Sequence, residues 1–241
     1  ANEGKNNLHS GSHGWERQFW SYETFETASS LGIKLSLRDE ESGFPGQIQA
    51  EVTYKLTDNK LEVTISGLSV TDTVFNPAWH PYFNLSAELS TTHEHFIQAN
   101  VDFLVETNQE NIPTGRLLTV DDSSYSIKES VSIKKLLKDN PEGLDDCFVF
   151  NPKGDKSLML YDPLSGRKLV AQTDRQAVVI YTATNPEIES MINGRPMSKN
   201  RGIAIEFQEI PDLVHHPEWG TIELKAGQKK TFITEYLFTT N

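Results

Sequence analysis

A chain of 241 residues with 37% hydrophobic and 23% charged side chains is long enough for one large domain or two small ones. Its composition supports a sizeable core rather than wholesale disorder. A formal net charge of -12 repels nucleic acid and anionic membrane surfaces at long range, so neither is expected as a partner, whereas a neutral ligand is unaffected. A single cysteine, Cys147, makes no internal disulfide, and neither a charged-then-apolar leader nor an apolar run of bilayer length is evident. The expectation is a cytoplasmic protein, monomeric or homodimeric.

In chain order, the segment Asn7-Leu8-His9-Ser10-Gly11-Ser12-His13-Gly14-Trp15 reads as a loop ahead of the first clear strand. His9 and His13 have the spacing of a metal pair on a helix, but Gly11 and Gly14 oppose a helix there, so no zinc site is expected. Short alternating runs rich in Val, Ile, Tyr and Phe predict strands over 33–37, 48–56 and 61–65. Thr57-Asp58-Asn59-Lys60 supplies the turn between the last two.

The segment Asn76-Pro77-Ala78-Trp79-His80-Pro81-Tyr82-Phe83-Asn84-Leu85 gathers a histidine, aromatics and asparagines in one strand-like stretch. Pro81 biases His80 toward an extended backbone, in which His80, Tyr82 and Asn84 share one face and Phe83 and Leu85 lie on the other. His80 fits either a satisfied histidine near a strand end or a general acid beside a polar ligand, imidazole being the side chain whose pKa suits proton transfer near neutrality. The helical pattern of the chain falls at 130–138, where Val131, Ile133, Leu136 and Leu137 alternate with polar residues.

Gly143-Leu144-Asp145-Asp146-Cys147-Phe148 places two adjacent carboxylates at the opening of a strand, where at most one of them faces a given site. Further strands are predicted over 158–161 and 177–181, with the turn Asp162-Pro163-Leu164-Ser165-Gly166 after the first. In Gly202-Ile203-Ala204-Ile205-Glu206-Phe207-Gln208-Glu209-Ile210-Pro211-Asp212, alternation sends Ile203, Ile205 and Phe207 to the core and turns Glu206 and Gln208 together to the opposite face. A carboxylate and a carboxamide two residues apart suit neighbouring sugar hydroxyls, although a solvated strand face carries the same pattern. Together these elements predict an all-β chain, a large antiparallel β-sandwich with very little helix, as one domain over 1–241.

Taken in order, these segments resemble the aldose 1-epimerase (galactose mutarotase) family. Asn7-Leu8-His9 with Gly14-Trp15 is similar to its Asn-x-Leu-His-Gly-Gly loop and later Gly-Phe. Gly43-Phe44-Pro45-Gly46 is similar to its Gly-Tyr-Pro-Gly turn, and His80-Pro81-Tyr82-Phe83-Asn84-Leu85 to its His-x-Tyr-Phe-Asn-Leu. Ile112-Pro113-Thr114-Gly115 repeats its Ile-Pro-Thr-Gly, Gly143-Leu144-Asp145 is similar to its Gly-Phe-Asp, and Glu206-x-Gln208 with Pro211-Asp212 to its Glu-x-Gln-x-x-Pro-Asp.

The resemblance implies a sandwich enzyme that interconverts the α and β anomers of a free sugar without any cofactor or metal. Glu206 would be the general base and His80 the general acid; His9 and Asp145 would hold the sugar hydroxyls and ring, with Tyr82 and Gln208 as further substrate-binding candidates. Two positions depart from the family pattern: Asp146 stands where histidine usually follows Gly-Phe-Asp, and Pro81 where a hydroxyl residue commonly follows the histidine. The chain also starts after the point at which the family has several strands and an Asn-Arg-Ile segment, so those strands and their sugar-site arginine are expected to be missing. The competing readings are a non-catalytic carbohydrate-binding sandwich and a hexose-6-phosphate 1-epimerase, the latter disfavoured because no motif-linked cluster of Arg or Lys is present.

Overall fold

A computed structural model describes residues 1–86, 88, 91–121, 123–184, 191–192, 195–196 and 198–240. The strands, in chain order, are β1 (Ser21–Glu26), β2 (Leu31–Asp39), β3 (Ile48–Thr57), β4 (Lys60–Ser69), β5 (Thr73–Val74), β6 (Tyr82–Phe83), β7 (Phe96–Ala99), β8 (Val101–Thr107), β9 (Pro113–Thr119) and β10 (Val131–Ser132). After the helix α1 (Ile133–Asp139) come β11 (Asp145–Phe150), β12 (Ser157–Tyr161), β13 (Arg167–Thr173), β14 (Ala177–Tyr181), β15 (Met191–Ile192), β16 (Arg195–Pro196), β17 (Ile203–Gln208), β18 (Glu223–Leu224) and β19 (Lys229–Thr240). The chain divides into two compact units, Ala1–Pro77 with Thr221–Glu235, and Ala78–Gly220 with Tyr236–Asn241.

In the first unit β1 to β4 run as an antiparallel meander, and the opening part of β19 borders β4. The expected hairpin is present: Thr57 pairs with Lys60, and Asp58 takes a φ of 50° to close the two-residue connection. The core of this unit centres on Phe75 and Phe232, stacked with ring centroids 5.9 Å apart, and Trp15 packs 6.2 Å from Phe75. Gly67 makes room for that cluster, because a Cβ there would lie 2.4 Å from the Phe75 ring.

In the second unit one sheet has the order β6-β17-β14-β11-β8-β9, and the other contains β13-β12-β7-β10 with the closing part of β19 beside β13. Tyr236 of β19 joins their inner faces, its ring 6.1 Å from Phe207 of β17, 5.7 Å from Phe83 and 5.2 Å from Trp79. Ile97, Leu158, Leu160 and Leu169 from one sheet and Phe148, Ile180 and Ile205 from the other are fully buried. These alternating inward residues form the dry layer of an antiparallel β-sandwich.

The helix starts three residues later than its sequence pattern. Val131 and Ser132 pair with Ile97 and Phe96 as the short edge strand β10, and the Ser132 hydroxyl accepts from the Lys135 amide as N-cap of α1. The strand-like stretch around His80 also narrows: only Tyr82 and Phe83 enter the ladder, opposite Ala204 and Ile203 of β17.

Candidate active site

Along β17, Ile203, Ile205 and Phe207 point into the sandwich, so Ala204, Glu206 and Gln208 occupy the other face of the sheet. The ladder registers show what shares that face. Glu206 lies opposite Val179 of β14, which lies opposite Cys147 of β11; Ala204 lies opposite Tyr181, which lies opposite Asp145. On the other side, Tyr82 of β6 lies opposite Ala204. Four adjacent strands thus bring Glu206, Gln208, Asp145, Tyr181 and Tyr82 to one surface, with Cys147 and Val179 as its apolar floor.

His80 stands just ahead of β6 on the same side. Its Nε2 is 3.1 Å from Oε1 of Glu206, and its ring is 5.1 Å from that of Tyr82. Tyr82 in turn meets Tyr181 edge to face at 6.4 Å. The two partners differ in solvation: the His80 side chain is 36% exposed and that of Glu206 only 9%. The carboxylate is the sunken member of the pair and the imidazole the one that meets solvent.

Burial raises the pKa of Glu206 to about 7, and the Asp145 carboxylate pushes it the same way. A carboxyl group that titrates near neutrality is suited to take a proton and return it.

Asp145 is placed by a tight turn. Gly143 has a φ of +90°, and a Cβ there would lie 2.4 Å from the Thr184 side chain. The Leu144 amide then donates to Thr182 Oγ1 at 2.9 Å and the Thr182 amide to the Leu144 carbonyl at 3.0 Å, which fixes the entry to β11. The neighbouring Asp146 lies opposite Ile180, on the inner face, where burial raises it to about 6; its Oδ2 accepts from the Asp145 amide. Of the two adjacent carboxylates, Asp145 is therefore the one on the Glu206 face.

The candidates separate accordingly. His80, Tyr82, Asp145, Glu206 and Gln208 share one face of one sheet. His9 lies in the first compact unit, exposed in the loop before a 3-10 turn at Gly11–His13, with a φ of 54°. Tyr181 joined the face without a motif to announce it, because its place follows from strand pairing; Cys147 follows Asp145 by alternation along β11. Among the described residues, no group of three or more His, Cys, Asp or Glu side chains is arranged to hold a metal ion, and no helix is long and apolar enough to cross a membrane.

Comparison with known proteins adds an independent line. A sequence model of a family described as aldose 1-epimerase matches residues 1–237. An aldose 1-epimerase from Streptococcus thermophilus is 32% identical over 244 residues, covering 96% of this chain and 69% of the relative. A maltose epimerase from Levilactobacillus brevis is 28% identical over 247 residues, covering 99% of this chain and 72% of the relative. The crystal structure of an aldose epimerase homologue from C. elegans superposes with a TM-score of 0.88 at 24% identity, covering 99% of this chain and 74% of that one.

Proposed function

Since this chain belongs to the aldose 1-epimerase family, we propose that it interconverts the α and β anomers of a free aldose such as galactose or glucose, with Glu206 as general base and His80 as general acid. The single observation that carries this reading is the 3.1 Å contact between His80 Nε2 and Glu206 Oε1 at a polar sheet face. Opening a cyclic hemiacetal requires a proton to leave the C1 hydroxyl and another to reach the ring oxygen. Both oxygens are bonded to C1, so the acid and the base must stand within reach of adjacent atoms, as these two side chains do.

In the proposed reaction Glu206 takes the proton of the C1 hydroxyl, the electron pair of that O–H becomes the second bond of the C1 carbonyl, and the bond from C1 to the ring oxygen breaks. His80 gives its Nε2 proton to the departing ring oxygen. Rotation about the C1 to C2 bond turns the other face of the aldehyde toward the same hydroxyl, and closure with the roles reversed yields the other anomer. Asp145, Gln208 and Tyr82 would hold the remaining hydroxyls, and His9 stays a substrate-binding candidate on the strength of the family motif alone.

A neutral sugar fits better than a sugar phosphate. The strands β6, β17, β14 and β11 carry no Lys or Arg, while Asp145 and Glu206 give their common face negative charge. A purely binding role is less well supported, because holding a sugar does not call for an acid and base in contact. Cytoplasmic residence and a monomeric or dimeric state belong to the same proposal. Polarimetry on freshly dissolved α-D-galactose and on its 6-phosphate, with and without protein, tests the reading. Acceleration for the free sugar and little for the phosphate is expected; no acceleration for either would refute it.

A further inference from the structure

β6 is only two residues long and lies at the edge of its sheet. Beside its two ladder positions, the Pro81 carbonyl accepts from the Ile205 amide at 3.3 Å and Asn84 Nδ2 donates to the Arg201 carbonyl at 2.7 Å, so the segment that presents His80 is held along β17, and its course depends further on where the chain is secured as it leaves the strand. The exit is Leu85, which is buried and fastened on both sides. Its carbonyl accepts from Ser165 Oγ at 2.9 Å and from Arg167 Nη1 at 3.3 Å. Its amide donates to a side chain, Nε2 of His95, at 2.9 Å.

That contact defines the state of His95. A ring nitrogen that accepts from an amide carries no proton, so the imidazole is neutral and its proton sits on Nδ1. His95 is 1% exposed, and its Nδ1 is buried with no hydrogen-bond partner among the described residues. Burial lowers its pKa, against the nearby carboxylate of Asp162, which favours the charged form. The residue is itself well anchored: its amide donates to the Thr92 carbonyl at 3.0 Å, and its carbonyl accepts from the Ile133 amide at the start of α1 at 2.8 Å. An apolar side chain in this place would leave the buried Leu85 amide, which donates to Nε2, without its acceptor.

We propose that His95 is a positioning residue for the reaction, its neutral imidazole acting through the Leu85 amide to hold the exit of β6 and so set His80 against Glu206. The proposal rests on the acid and base roles given above and extends them. It asks for an acceptor at the reach of Nε2 rather than for a charge or for bulk. Glutamine at this position carries an oxygen at about that reach, and asparagine only at the reach of Nδ1.

The test compares His95→Gln and His95→Asn with the parent protein by polarimetry of α-D-galactose, by melting temperature, and by the proton NMR signal of the His80 ring. His95→Asn is expected to lower kcat roughly tenfold or more, as displacements of about an ångström do, with KM within about twofold and a shifted His80 signal. His95→Gln is expected to keep kcat within about threefold and to leave the His80 signal in place. Parental kcat and an unmoved signal in His95→Asn would overturn the proposal, as would equal losses of kcat and melting temperature in both variants. If His95→Asn does not fold, His95→Gln decides alone: a parental signal and rate support the proposal, and a displaced signal in a folded protein overturns it. Glu206→Gln run beside them separates the two levels, because parental turnover in that variant would refute the base assignment while the His80 signals still judge His95.

Discussion

Replacing Glu206 by glutamine is expected to lower turnover steeply and, above neutral pH, to raise stability. The carboxyl is 9% exposed and its pKa is raised from 4.5 to about 7. The fold therefore favours the protonated form. This contribution to stability is present in full below the unfolded value of 4.5 and is lost as pH rises through about 7. At about 1.4 kcal/mol per unit, the ionised carboxylate costs at most roughly 3.5 kcal/mol above that range, less whatever a charged His80 returns. Glutamine keeps the shape and much of the hydrogen bonding but has no proton to lose, so it escapes the cost.

For a chain of this size the ceiling corresponds to roughly 7–14 °C in melting temperature. The difference between variant and parent should be small at pH 5 and grow toward pH 8.5. Loss of a general base should cost about 10²–10⁴-fold in kcat, with sugar affinity little changed. Melting curves by circular dichroism at the two pH values, with polarimetry alongside, measure both. A pH-independent difference in melting temperature would refute the buried-carboxyl argument, and parental mutarotation would refute the catalytic role.

The remaining predictions concern the same face. In the parent protein kcat/KM should rise with pH through about 7 as Glu206 ionises. Asp145→Asn removes a like charge from beside Glu206, so this limb should move to lower pH while KM rises; a limb that stays put argues against their coupling. Gly143→Ala forces a side chain into a φ of +90° and against Thr184, at about 1–3 kcal/mol, and should lower the melting temperature and raise KM by shifting Asp145. Phe207→Ala empties a site between Phe150 and Tyr236 on the inner side of β17, which should cost about 3–5 kcal/mol in denaturant unfolding.

The parts of this arrangement that were legible in the sequence are those governed by a single strand. The run Ile203 to Gln208 alternates cleanly, so the outward aim of Glu206 and Gln208 followed from period two alone, as did the strand Ala177–Tyr181. β1 was not legible, because five of its six residues are exposed and no face is hydrophobic. The start of α1 was misplaced because Val131 continues the helical pattern of apolar residues, yet its backbone satisfies a sheet edge beside Ile97. Tyr181 was missed for a different reason: its place beside Asp145 and Ala204 depends on which strands pair and in what register, information that is non-local. His95 has no flanking pattern to distinguish it from any other polar residue near a strand.

The direct test of the central claim is the rate at which the optical rotation of freshly dissolved α-D-galactose relaxes in the presence of the purified chain. The account predicts relaxation faster than in buffer, in proportion to protein concentration, and its return to the buffer rate with Glu206→Gln. Sugar binding by the parent chain with no acceleration of that relaxation would contradict it.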